Sequence, residues 1–172
     1  SSFGADVFLD HVIQLKTSRY TFIYPLLLGR SIAGILKPDP AYIALGTSLG
    51  RAFQRLDDLS DILSPQEELG KKPCADIESG KSTHISNYIQ TLCSKETRAR
   101  FQAYSARPLT KGEMETVRGL AWATGAIENQ KESIASDLVE ACRIVRTLKI
   151  KKDHRDMWLA FIDSFFEKLA AF

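Results

Sequence analysis

FQRLDDLSDIL, residues 53–63, sets three carboxylates, Asp57, Asp58 and Asp61, into a stretch whose apolar residues recur at helical spacing. At about 100° per residue, Gln54, Asp57, Asp58 and Asp61 share an arc of about 100°, while Leu45, Leu49, Ala52, Leu56, Leu59 and Leu63 line the opposite side. A helix of this kind packs its leucine back on a core and shows carboxylates from its front. Gly46 and Gly50 precede the acids on nearly the same face, where small residues leave space above the carboxylates or let another helix approach. Two carboxylates about 6 Å apart repel by ~3 kcal/mol at an effective dielectric near 20, whereas a helical ion pair returns only ~0.2–0.5 kcal/mol. Arg55 alone does not offset that in a dry cleft. Either the stripe faces water, where the repulsion is screened, or a cation sits against it.

Outward from this helix the same period continues. Apolar residues recur at spacings of three and four and no stretch alternates with period two, so the expected fold class is all-α. Helices are expected over 5–36 with an interruption near Tyr24 and Pro25, then over 41–63, 82–93, 95–105, 111–148 with a further interruption, and 153–172. KPDP at 37–40 cannot continue a helix, and Thr110 followed by Glu113 matches a capping box. The connection at 64–81 is polar and rich in Lys and Gly, and structureless loops of that length are more often functional than neutral. The chain is read as a single helical unit, 1–172.

Composition bounds the partners. The chain has 172 residues, 44% hydrophobic and 26% charged, with a net charge of +2, too little field to argue for nucleic acid or a bilayer surface. Its longest apolar run, TFIYPLLLG at 21–29, is far short of the ~20 residues of a membrane helix. No secretion signal is visible at SSFGADVFLD, so the expected location is cytoplasmic. Cys74, Cys93 and Cys142 are odd in number and widely spaced, which reads as reduced thiols. His11, His84 and His154 share no metal-ligand spacing, and Trp122, Trp158, Phe161, Phe165 and Phe166 read as core or interface.

The cation reading gains from the lysines. Lys71 and Lys81 each follow a glycine in GKKPCADIESGKST, downstream of the acidic helix, and Lys16 heads LKTSRYTF. Hard divalent cations take a few carboxylate oxygens plus waters and substrate phosphates, and lysine serves phosphate as a mobile point charge. Carboxylates and lysines together fit a diphosphate bound through a metal.

These residues resemble a known family, the trans-type isoprenyl diphosphate synthases or polyprenyl synthetases. FQRLDDLSD is similar to its second aspartate-rich motif, FQxxDDxxD, and LKTSRYTF to its lysine-threonine motif. GKKPCADIESGKST matches GKxxGxDxxxGKxT except that Cys74 stands where glycine is usual, at a cost on the order of 1 kcal/mol if that glycine has positive φ. ETVRGLAWATGAIE at 115–128 resembles the helices that follow, and the KTSRYTF and YPLLLG wording is closest to bacterial geranylgeranyl diphosphate synthases.

The resemblance implies the C-terminal half of an isoprenoid-synthase-type helical bundle. It implies head-to-tail condensation of an allylic diphosphate with isopentenyl diphosphate, with Mg²⁺ as cofactor. By the same resemblance Asp57, Asp58 and Asp61 are metal residues, Lys16, Lys71 and Lys81 grip the diphosphate, and Gln54 and Thr17 face the reacting allyl group. The family's first aspartate-rich motif and its GGKR-like basic segment are not among these residues; Asp6 and Asp10 do not replace that motif. The chain by itself is therefore expected to be inactive, its partners being the missing half or a complementary chain, and a homodimer. The alternative is a non-catalytic regulatory or binding subunit of a heteromeric prenyl diphosphate synthase.

Overall fold

The computed structural model describes residues 2–37, 39–65, 70 and 72–172, with side chains from residue 7 onward. Among the described residues the chain is helical and no strand is present. The elements are α1 (Ser2–Ile13), a π-helical segment (Gln14–Ile23), α2 (Tyr24–Ile32), α3 (Pro40–Leu63), α4 (Ala75–Glu78), α5 (His84–Leu92), α6 (Lys95–Gln102), α7 (Lys111–Ala123), α8 (Ala126–Thr147) and α9 (Lys152–Ala170). No helix is long and apolar enough to cross a membrane, among the described residues.

Two expectations change. The interruption near Tyr24 and Pro25 is absent; the helix instead widens ahead of it, and the Tyr24 amide donates to the carbonyl of Arg19, five residues back. A proline inside an α-helix presses its ring on the carbonyl four residues earlier, but in a first turn its missing amide costs nothing. The π segment delivers Pro25 into the first turn of α2. The connection at 64–81 is also not wholly irregular, because it holds α4. The interruption expected within 111–148 falls at Gly125, where φ is +73°.

The chain divides into two compact units, Ser1–Leu9 with Arg55–Lys131, and Asp10–Gln54 with Glu132–Phe172. The first buries Leu56, Leu59, Ile85, Ile89, Val117 and Ile127. At its surface Thr110 and Glu113 form the expected capping box of α7, and Arg107 closes on Glu113 at 2.6 Å. That guanidinium bond, with the Thr110 amide, pulls the Glu113 carboxyl down to about 2.

The second unit buries Leu45, Leu49, Ala52, Ile134, Leu138 and Ile162. Phe22, Phe53, Phe165, Phe161 and Trp158 follow one another edge to face, with ring centroids 5.1–6.3 Å apart, so most of the aromatic group read as core does pack together. Trp122 stands outside it, exposed on α7. The glycines of α3 admit a helix. A Cβ on Gly50 would lie 2.4 Å from the Ser18 Cα, and one on Gly46 would lie 2.7 Å from Ile23 Cγ1. The π segment thus rests on bare α3 backbone.

Gly50→Ala is expected to destabilise the chain by about 1–3 kcal/mol through overpacking, although propensity alone favours alanine in a helix by about 1 kcal/mol. Gly46→Ala should cost less, since the nearest backbone atom it would meet, the Ile23 nitrogen, lies 3.0 Å away rather than 2.4 Å; urea unfolding of both variants checks the order. For Glu113 the folded carboxyl lies below its ordinary 4.5, so its contribution is present above that value and lost as pH falls toward 2. Glu113→Gln should lower the urea midpoint at pH 7 and match wild type near pH 2.

Candidate active site

The acidic stripe of α3 does not face water as a set. Asp61 is fully buried and Asp58 is 5% exposed, whereas Asp57 is half-buried. A buried carboxylate needs hydrogen bonds to stay charged, and Asp61 finds one in the chain that follows. Its Oδ2 accepts the Asp76 amide at 3.1 Å, and its backbone carbonyl accepts the Cys74 amide at 2.7 Å. Asp61 therefore anchors the loop motif to the end of α3.

Between these two amides the chain turns through Cys74, which has φ +60° and ψ +24°. This is the left-handed conformation for which the glycine of the family pattern is suited, and cysteine holds it here with its side chain fully buried. Burial first, and then the Asp61 charge, push the Cys74 thiol up to about 11.

After α4 the chain closes in a Schellman motif. The Gly80 amide donates to Ile77 and the Lys81 amide to Asp76, at 3.0 and 2.8 Å, with Gly80 at φ +71°. This turn swings the Lys81 side chain back over α4, where Nζ meets Asp76 Oδ1 at 2.7 Å. Burial works to lower the proton affinity of that ammonium, but the Asp76 bond and the charges of Asp76, Asp58 and Asp57 outweigh it and raise it. Within the first unit the structure thus brings one expected lysine under the field of two expected aspartates. It also brings in Asp76, which was not singled out from sequence; the signal for it was the aspartate ahead of the Gly-Lys pair, read only as part of a pattern.

Within the second unit Thr17 is buried on the π segment, and its hydroxyl donates to Gln54 Oε1 at 2.8 Å. The expected pair is in contact. Lys16 is exposed beside Thr17 and makes no ion pair among the described residues. Lys71 lies outside the described residues.

Among the described residues no three His, Cys, Asp or Glu side chains converge as a ready-made cation cage. That does not exclude a hard cation, which takes one or two carboxylates and completes its shell with water and phosphate. The donors fit such a use: Asp57 is only half-buried, and Asp76 Oδ2 is buried with no hydrogen-bond partner among the described residues. An oxygen in that state has acceptor capacity left for a metal-bound water.

Residues 8–124 match the family model described as polyprenyl synthetase. Over 70 residues, 40% of this chain and 21% of the relative, the sequence is 36% identical to a geranylgeranyl diphosphate synthase of Sulfolobus acidocaldarius. A geranylgeranyl pyrophosphate synthase from Corynebacterium glutamicum, solved with isoprenyl diphosphate and magnesium, is similar with a TM-score of 0.84 and 26% identity, over 93% of this chain and 46% of that one. A decaprenyl diphosphate synthase from Rhodobacter capsulatus shares the fold, with a TM-score of 0.81 at 24% identity over 95% of this chain and 50% of that one. The chain spans about half the length of these solved relatives, and less of the curated one.

With its thiol buried and held near 11, Cys74 should resist iodoacetamide at pH 8 in the native chain and react only after unfolding in urea. The partly exposed Cys93 should be modified first, an order that peptide mass spectrometry reads directly.

Proposed function

The chain belongs to the polyprenyl synthetase family, and on that premise we propose that it binds the diphosphate of an allylic prenyl substrate for condensation with isopentenyl diphosphate. The observation that carries this reading is the Lys81 ammonium, fixed on Asp76 and under the charges of Asp57 and Asp58. The Corynebacterium glutamicum relative, solved with isoprenyl diphosphate and magnesium, supports the choice of ligand and of cation.

Asp57, with Asp58 beside it, is the proposed Mg²⁺ holder. Magnesium, when bound, supplies positive charge that neutralises the leaving diphosphate. Asp61 joins it on the motif reading, but its Oδ2 already accepts the Asp76 amide, so its proposed part is to fix the loop. Lys81 offers the diphosphate the ammonium protons that Asp76 does not take, and Lys16 and Lys71 are proposed to add charge on the strength of their motifs. As the C–O bond breaks, charge grows on the departing oxygens, and cations already in place stabilise it without reorganising.

Thr17 and Gln54 have a separate proposed task. The Thr17 hydrogen points at Gln54, which leaves the hydroxyl's lone pairs to present negative density to an allylic cation. Fixing the threonine rotor in this way makes the dipole permanent rather than adaptive. The proton released after isopentenyl attack is proposed to leave with the diphosphate.

Because the chain spans about half of its solved relatives, the whole reaction is proposed for an assembly in which the rest of the fold is present. The apolar row Tyr20, Tyr24, Leu28 and Ile32, exposed at spacings of four, is the kind of surface such a portion would cover.

Calorimetric titration with inorganic pyrophosphate tests the binding half of the proposal. Binding should require Mg²⁺, and Asp57→Asn and Lys81→Met should each weaken it by about tenfold or more, the share of one charge-assisted interaction. Pyrophosphate binding that ignores both substitutions, or no binding with Mg²⁺, refutes it. In an assembly that turns over, Asp57→Ala should raise the Mg²⁺ requirement and cut turnover by at least ~10²-fold.

A further inference from the structure

We infer that Asp76 is a positioning residue, which holds the Lys81 ammonium where a diphosphate meets it and fastens that pair to Asp61. The inference rests on the diphosphate-binding role proposed above. It concerns how the lysine is held rather than what it binds.

The amide, the carbonyl and Oδ1 of Asp76 all serve this arrangement, and Oδ2 alone takes no part in it. Its amide donates to Asp61 Oδ2 at 3.1 Å, its carbonyl accepts the Lys81 amide at 2.8 Å and the Ser79 hydroxyl at 3.0 Å, and its Oδ1 accepts Lys81 Nζ at 2.7 Å. One residue thus grips the same lysine by main chain and side chain, while its amide is tied to a carboxylate that cannot move because it is fully buried. A lysine stem otherwise samples many rotamers, and a ligand would have to order them on binding. Here the ordering is done beforehand. The Asp76 side chain is 11% exposed and that of Lys81 39%, so the lysine keeps ammonium protons directed outward while one is spent on Asp76.

The sign of the effect separates this role from plain electrostatics. By charge alone, removing a carboxylate beside an anion site tightens anion binding. Removing a carboxylate that positions a lysine of that site weakens it. A double-substitution cycle then asks whether Asp76 acts through Lys81.

The experiment is calorimetric titration of the 172-residue chain with inorganic pyrophosphate in Mg²⁺, for wild type, Asp76→Asn, Lys81→Met and the pair. Asp76→Asn should weaken pyrophosphate by about fivefold and should have no further effect once Lys81 is methionine. The Lys81 ¹⁵Nζ resonance, identified by its loss in Lys81→Met, should also move in Asp76→Asn without ligand, a change that a purely structural role for Asp76 does not require. Tighter binding in Asp76→Asn overturns the role, as does an equal loss in both backgrounds, which would mean that Asp76 meets the cation itself. Should Asp76→Asn not fold, Asp76→Glu takes its place in the cycle, and affinity equal to or above wild type overturns the role. No binding by wild type overturns the proposed function and this role with it, whereas wild-type binding with an additive cycle overturns this role alone.

Discussion

A carboxylate with no access to water fixes the first unit: Asp61, at the end of α3, accepts the Asp76 amide on its side chain and the Cys74 amide on its backbone. A buried charge left without partners costs several kcal/mol, so the segment that supplies those amides cannot drift away without a heavy cost. Its constraints propagate along the chain. Cys74 must turn left-handed to bring two amides to one residue, α4 then has room for four residues, and the Gly80 turn returns Lys81 over Asp76. The position of one ammonium group is in this sense set from within α3.

The second unit solves its problem without charge. Bare backbone at Gly46 and Gly50 lets the π segment come within contact of α3, and this closeness puts the Thr17 hydroxyl against Gln54. Close approach here does what the buried carboxylate does in the other unit, since both remove the freedom of a side chain to which the proposed chemistry gives a role.

Much of this was legible in the sequence. The leucine back of α3, the Thr110–Glu113 box and an interruption within 111–148, though not its place at Gly125, each follow from local rules that depend on few neighbours. The Thr17–Gln54 contact was foreseeable only through the family motifs, because the residues lie 37 positions apart. What was not legible depends on geometry that no periodicity encodes. Pro25 marks a disturbance, but periodicity does not say whether the chain breaks or widens there. Asp57, Asp58 and Asp61 read as one stripe because spacing is all that a helical wheel contains, whereas Asp61 is tied to α4, an element too short to announce itself. Asp76 hid for the same reason, since its importance lies in where its amide and carboxylate point.

The widened turns at 14–23 also bear on how this protein should be compared with any other helical chain. A turn closed five residues back consumes more chain per revolution than an α-turn, so α1 and α2 are out of phase with each other on any projection that assumes a uniform pitch. Deletions within those ten residues would tighten the turns toward the ordinary pitch and change which residues of the segment meet α3. Tolerance of length change is therefore asymmetric along this helix: a residue removed from its exposed continuation in α2 would shift surface, whereas one removed from the widened stretch would turn Thr17 away from its amide.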